Sequence, residues 1–406
     1  MDRKRGLIIG IGLVVSTGAL WISQENVQAA ADAQSVQAPV FEVDPFWPKP
    51  LPHNWRLGSS IGVWVDDQET VWMIHRSSAT LDNNERAAEL DPPQGECCIG
   101  APPVLAFDKE GNLVHSWGGP GEGFDWPESN HGITVDHMGY VWIGANGGPD
   151  SHLLKFTKDG KFVAQYGKPG ARQGPPNAQG QPTFVRNSND PENFGRAAKI
   201  FIDEGANEAY IADGYFNRRV AVLDAGTGRM KRHWGGYGNV PDDSYTFGPQ
   251  GMDDQNPPQQ FRGPVHCVMI AVDGLVYVCD RGADRIQVFQ KDGTFVKEAF
   301  FAPKTLRSGS TWDLAFSRDP QQRYIYLVDG VNEKVRIVER ETLREIANFG
   351  QGGRQPGQFY GVHSIATDSQ GNIYTTETYE GKRLQKFVFK GMGSVPRVQG
   401  VVWPMQ

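Results

Sequence analysis

One stretch of this chain returns six times, and a repeat of that kind leaves few folds open. His131-Gly-Ile-Thr-Val-Asp-His-Met-Gly-Tyr-Val-Trp-Ile-Gly144 alternates apolar and polar residues, turns at a glycine and alternates again. That is the pattern of a β-hairpin. Residues 266–279 and 363–376 overlay it without a gap, and looser copies begin at Ile61, Ala198 and Trp312. A second pair of short apolar stretches follows each hairpin, as in Ile286-Gln-Val-Phe and Phe295-Val-Lys-Glu. A four-stranded unit that is apolar on both faces is not stable alone and must bury those faces against neighbours. The expected fold is therefore all-β: a six-bladed β-propeller of four-stranded blades. The sixth unit ends after three clear strands, at Phe389, so the ring must close with a borrowed strand. Phe41-Glu-Val-Asp44 is the expected donor and Val401-Val-Trp403 the alternative.

A repeat array is one domain however long it runs, so residues 32–406 are read as one propeller, with blades starting near 61, 131, 198, 266, 312 and 363. Residues 1–31 read as a signal peptide. Asp2-Arg3-Lys4-Arg5 gives a basic start, Gly6 to Ile22 an apolar run, and Val27-Gln28-Ala29-Ala30-Ala31 a small-residue cleavage region. An uncleaved anchor is the alternative. The expected location is periplasmic or secreted. A formal charge of −7 with dispersed basic residues provides no stripe for nucleic acid and no polybasic patch for a membrane surface.

The repeat also organises the chemistry. In a propeller the innermost strand of each blade starts at one face and the second strand returns to it. The hairpin-opening residues are Ile61, His131, Ala198, His266, Trp312 and His363, so every second blade carries a histidine. Alternate blades of a six-fold ring stand about 120° apart, which brings three imidazoles to the axis. Three nitrogen ligands with a fourth position open is the donor set of a catalytic zinc, although imidazoles also suit other divalent ions. Any one of these histidines alone would read as a packed core residue, as do the other six, including His75, His137 and His233. At the hairpin ends stand Arg76 and Tyr215. An arginine there can clamp a carboxylate, and a tyrosine beside a divalent cation can serve as a base. An inter-blade salt bridge and a packed ring with a capped hydroxyl are the plainer uses.

Three long interruptions, residues 77–101, 171–196 and 239–264, fall on the histidine face and are rich in Pro, Gly, Asn, Gln and Asp. They should be ordered by packing, either as a substrate cover or as tolerated insertions. Cys97-Cys98 could form a vicinal disulfide, bind metal or stay as two thiols. Cys267 and Cys279 lie on the two arms of one hairpin, and a three-residue turn would set them opposite each other where a two-residue turn would not. Simple buried packing is the alternative for that pair.

The Gln358-Phe…His363-Ser-Ile-Ala…Gly371-Asn-Ile-Tyr pattern resembles NHL repeats. Beyond that, His131-Gly-Ile-Thr-Val-Asp, Asp213-Gly-Tyr215-Phe-Asn-Arg, Val265-His266 leading to Asp280-Arg281, Val362-His363 and Ile74-His-Arg76 resemble the catalytic core of the peptidyl-α-hydroxyglycine α-amidating lyase family. The resemblance runs over nearly all of residues 32–406. It implies that His131, His266 and His363 hold zinc, that Tyr215 takes the substrate hydroxyl proton, and that Arg76 orients the substrate carboxylate. The implied reaction is a carbon–nitrogen lyase step in which R-CO-NH-CH(OH)-COO⁻ yields an amide and glyoxylate. This chain departs from the family at Gly361, where a methionine is usual, and at Phe216, where a cysteine is usual. Ser364 stands where the family has an aspartate that binds a structural calcium, which argues against calcium here. No stretch reads as a copper monooxygenase, so the implied substrate is a small molecule or peptide bearing an α-hydroxyglycine-like group. A non-catalytic NHL scaffold and a metal hydrolase on the same ring are the rival expectations.

Overall fold

The structure is a computed structural model that describes residues 35–404; the expected signal peptide, residues 1–31, lies outside the described residues. Six four-stranded antiparallel sheets form a ring. Blade 1 comprises Ser60–Val65, Val71–His75, Val104–Phe107 and Leu113–Trp117, and blade 2 comprises Asn130–Val135, Tyr140–Ala145, His152–Thr157 and Phe162–Gly167. Lys199–Asp203, Glu208–Asp213, Arg219–Asp224 and Met230–Trp234 make blade 3; Val265–Ile270, Val276–Asp280, Arg285–Phe289 and Phe295–Phe300 make blade 4. Blade 5 is Asp313–Phe316, Tyr324–Asp329, Lys334–Glu339 and Arg344–Phe349. Blade 6 takes Val362–Thr367, Ile373–Glu377 and Arg383–Pro396, and is completed by Ser35–Asp44.

The repeated hairpin has a local cause. The Asp136 carboxylate accepts the N–H groups of Met138 and Tyr140 and the indole N–H of Trp142, and Asp66 does the same for Gln68, Thr70 and Trp72. A side chain that bonds its own turn in this way competes with extended backbone and forces the reversal. Three residues then bridge the arms, ending in Gly139, Gly274 or Gly371, each with φ between 80° and 86°. That left-handed position is the one a three-residue hairpin loop requires.

Six buried apolar clusters hold the ring, one at each seam between neighbouring blades. Ile61, Trp72 and Ile74 of blade 1, for example, meet Ile133, Val141 and Leu154 of blade 2. The last seam joins blade 6 to blade 1 through Tyr374, Leu384, Val63 and Met73. Closure uses the expected N-terminal donor, in a strand longer than the four residues foreseen: Phe41 pairs with Phe389 and Val43 with Phe387, and pairing continues back to Ser35. The alternative donor also contributes, since the Val43 N–H donates to the Val402 carbonyl at 2.7 Å. No helix among the described residues is long and apolar enough to cross a membrane.

Four inner strands carry a β-bulge at their first turn on the axis, and this feature positions the site. In blades 4 and 6 the extra residues are His266 and His363; in blade 2 the bulge takes in His131 with Gly132, and in blade 1 it falls at Ile61. A bulge re-aims the side chain at its extra residue.

Candidate metal centre

His131, His266 and His363 converge on the axis, with ring centroids 4.8–5.1 Å apart and one ligand nitrogen from each lying within 4.8 Å of the other two. Each Nδ1 meets a backbone carbonyl of the following blade: Ala198 at 2.8 Å, Trp312 at 2.5 Å and Ile61 at 2.7 Å. Those carbonyls belong to the three hairpin-opening residues that are not histidine. A carbonyl only accepts, so Nδ1 carries the proton and Nε2 is left as a bare lone pair facing the axis. All three imidazoles are 2–3% exposed. Burial depresses the proton affinity of all three, with the Arg281 guanidinium adding to it at each and Arg76 at His131 and His363; together these bring His131 down to about 3. The ring axis therefore holds three neutral imidazoles.

Tyr215 reaches the same point from blade 3. Its hydroxyl lies 2.9 Å from His131 Nε2 and 3.0 Å from His266 Nε2. Gly214 allows this approach, because a β-carbon there would collide with the Val265 backbone one residue before His266. Arg76 extends from the end of the second strand of blade 1 to Asn146 Oδ1 at 3.0 Å, on the loop after blade 2's second strand. It forms no ion pair with any carboxylate among the described residues, so it is not an inter-blade salt bridge. The Tyr215 hydroxyl, likewise, meets the His131 and His266 imidazoles on the axis.

Sequence reasoning quoted Arg281 only within a motif and did not single out Asn146. Arg281 Nη1 donates to the Tyr215 oxygen at 3.2 Å, and its guanidinium lies 4.5 Å over the Trp312 ring. It is 8% exposed, has no carboxylate partner, and its Nε lacks any hydrogen-bond partner. Arg76, Asn146 and Arg281 each stand directly after the last residue of a second strand. Reading that one register across all six blades would have found them.

The long loops run up to these residues. The first begins immediately after Arg76, where Ser77 Oγ donates to the Ala101 carbonyl. In the second, Arg186 Nε donates to the Phe216 carbonyl, and Arg196 lies over the Phe184 and Phe216 rings. From the third, the N–H groups of Arg262 and Gly263 donate to the Asp280 carboxylate. Cys97 and Cys98 are joined as a vicinal disulfide within the first loop. Cys267 pairs directly with Cys279 and is bonded to it, as the three-residue turn of residues 272–274 requires.

No family model matches the chain. It is 26% identical over 259 residues to peptidyl-glycine alpha-amidating monooxygenase B of Xenopus laevis, which covers 63% of this chain and 25% of that protein. The A form from the same organism is 25% identical over 261 residues. The chain spans about a quarter of the length of these relatives. NHL repeat-containing protein 3 of Mus musculus is 28% identical over 198 residues, 47% of this chain and 46% of that protein. A solved streptogramin B lyase structure superposes with a TM-score of 0.50 at 12% identity, over 89% of this chain and 99% of that one, and shares the fold. The chain is thus a six-bladed propeller, distantly similar to the amidating monooxygenases and to an NHL repeat-containing protein.

Proposed function

We propose that this propeller is an exported, zinc-dependent carbon–nitrogen lyase that splits an α-hydroxyglycine-type carbinolamide into an amide and glyoxylate. One observation carries the reading. Three Nε2 lone pairs and the Tyr215 oxygen converge on the axis with a single proton, that of the tyrosine, to share among them. The hydroxyl can donate to His131 or to His266, which leaves the other facing a lone pair, and a cation relieves that conflict.

His131, His266 and His363 would hold the ion, which when bound supplies a Lewis acid for the substrate hydroxyl. Arg76 and Arg281, two guanidiniums without carboxylate partners, bind and orient the substrate carboxylate. Tyr215, acting as the phenolate after giving up its own proton to solvent, takes the hydroxyl proton, and the Arg281 donor holds its oxygen in place. The C–N bond then breaks with its electrons going to nitrogen, the carbinol carbon becomes the glyoxylate aldehyde, and the proton passes from Tyr215 to the departing amide. Two disulfides suit an oxidising compartment and support export.

The test is metal analysis of the purified protein together with glyoxylate release from α-hydroxyhippurate. One zinc per chain and stoichiometric glyoxylate are expected, with activity lost in Tyr215→Phe. Absence of bound metal would return the chain to a binding scaffold. Metal with turnover to benzoate in place of benzamide would make it a hydrolase, since the carbinolamine freed by hydrolysis also collapses to glyoxylate.

A further inference from the structure

The ring axis carries a second polar cluster directly below the imidazoles. Lys199, Asp313 and Ser364 each lie one residue further along their strands than Ala198, Trp312 and His363, and together with the trio they line one small cavity. Lys199 Nζ lies 2.5 Å from Asp313 Oδ1, which also accepts the Leu314 N–H at 2.8 Å. Asp313 Oδ2 accepts the Ser364 hydroxyl at 2.6 Å and the Ile365 N–H at 3.2 Å. Lys199 is 6% exposed and Asp313 2%. The matching positions in the other blades are Gly62, Gly132 and Cys267, the last held in its disulfide. A β-carbon at Gly132 would collide with the Ala198 carbonyl. The axis at this level thus belongs to one ammonium, one carboxylate and one hydroxyl.

We propose that the Lys199 ammonium is the built-in cation of this axis, neutralising Asp313 and filling the place where that carboxylate and the Ser364 hydroxyl would otherwise gather a hard divalent ion. Calcium takes six to eight oxygen ligands, and an ammonium seated among the donors both repels it and uses up the carboxylate. A structural calcium therefore does not fit the native donor set, and Lys199 restricts the axis to a single metal position, the one at the imidazoles. The strand geometry makes Lys199 and Asp313 positioning residues as well, because their neighbours' carbonyls fix the His131 and His266 rings. None of this depends on which metal or reaction the imidazoles serve.

The experiment compares thermal unfolding with and without millimolar calcium chloride, and calcium bound at equilibrium, for three proteins: wild type, Lys199→Ala and Lys199→Met/Asp313→Asn. Wild type should bind no calcium and keep the same Tm. Lys199→Ala should melt lower and regain several degrees with calcium, since a ligand that binds only the folded state raises its stability. The charge-free double variant should recover without calcium and ignore it. Calcium binding by wild type, or a folded Lys199→Ala indifferent to calcium, would overturn the proposal. Should Lys199→Ala not fold under either condition, the double variant decides: a folded double supports neutralisation of Asp313, and an unfolded one refutes it. Because the readouts are Tm and calcium, a failure of the lyase reading leaves these outcomes unchanged.

Discussion

His75 has no proposed chemistry, yet Arg76 depends on it. Its Nδ1 accepts the N–H groups of Gly58 and Ser77 at 3.0 Å, and its Nε2–H donates to the Pro102 carbonyl at 2.9 Å, so the neutral ring pins the turn that carries Arg76. Burial pushes its pKa down to about 4. A base depressed in the folded state gives stability that is fully present above the unfolded value, near 6.5, and is lost as pH falls toward the folded one. The three axial histidines shift in the same direction, so stability should fall steeply from pH 6.5 to pH 4. His75→Gln should flatten that slope by one proton, about 1.4 kcal/mol per pH unit, in denaturant titrations at several pH values. An unchanged slope would assign the acid sensitivity elsewhere. Arg281→Gln removes the donor to Tyr215 and one guanidinium; a charge-assisted hydrogen bond of about 1.5–3 kcal/mol predicts a roughly 10–100-fold fall in kcat/KM for glyoxylate release. At this scale the histidines, Tyr215 and Arg76 were legible because each recurs at, or breaks, a repeated register. Arg281 is legible only in the register that follows each second strand, because nothing local separates it from Arg285 four residues on, which forms a buried ion pair with Asp280.

Strand patterns exposed the elements, but the bulges stayed hidden, because alternation of apolar and polar residues looks the same with or without one inserted residue. Blade 4 illustrates the consequence. Its turn sets Cys267 opposite Cys279, and the bulge then releases His266 from pairing so that Val265 still reaches Asp280. Turn length alone could foretell the disulfide; the freedom of His266 could not be read without the register. The ring-closing strand was legible for a simpler reason, since blade 6 lacked a fourth strand and a donor had to exist. Phe41 anchors it, packing edge-on to Tyr326 at 5.3 Å and against Phe349 at 5.5 Å while 3% exposed. Phe41→Ala should cost about 3–5 kcal/mol, the range for a buried phenylalanine, and should free the Ser35–Asp44 strand before global unfolding. Hydrogen exchange at the Phe41–Asp44 amides would show this as faster exchange there than in blade 3, and equal protection would contradict it.

At the scale of the whole ring, the axial imidazoles act as struts between blades. Each Nδ1 binds an odd blade while its own backbone belongs to an even one, so the hydrogen bonds tie blade 2 to 3, 4 to 5 and 6 to 1. An ion on the three Nε2 atoms would join blades 2, 4 and 6 and so connect all six through the axis. The six-fold repeat made the ring legible in outline, whereas this linkage was not, because it runs through backbone carbonyls that no side-chain pattern reports. Binding confined to the folded state stabilises by RT ln(1 + [L]/Kd), about 2.7 kcal/mol when free metal is a hundred times Kd. Dialysis against a chelator should therefore lower Tm, and zinc should restore it in proportion to the logarithm of its free concentration. His131→Ala, His266→Ala and His363→Ala should each abolish that zinc-dependent increment, whereas His233→Ala should keep it, since that ring sits on the fourth strand of blade 3 and bonds Asn189, away from the axis. A wild-type Tm indifferent to both chelator and zinc would mean that the struts are hydrogen bonds alone, and the lyase reading would lose its metal.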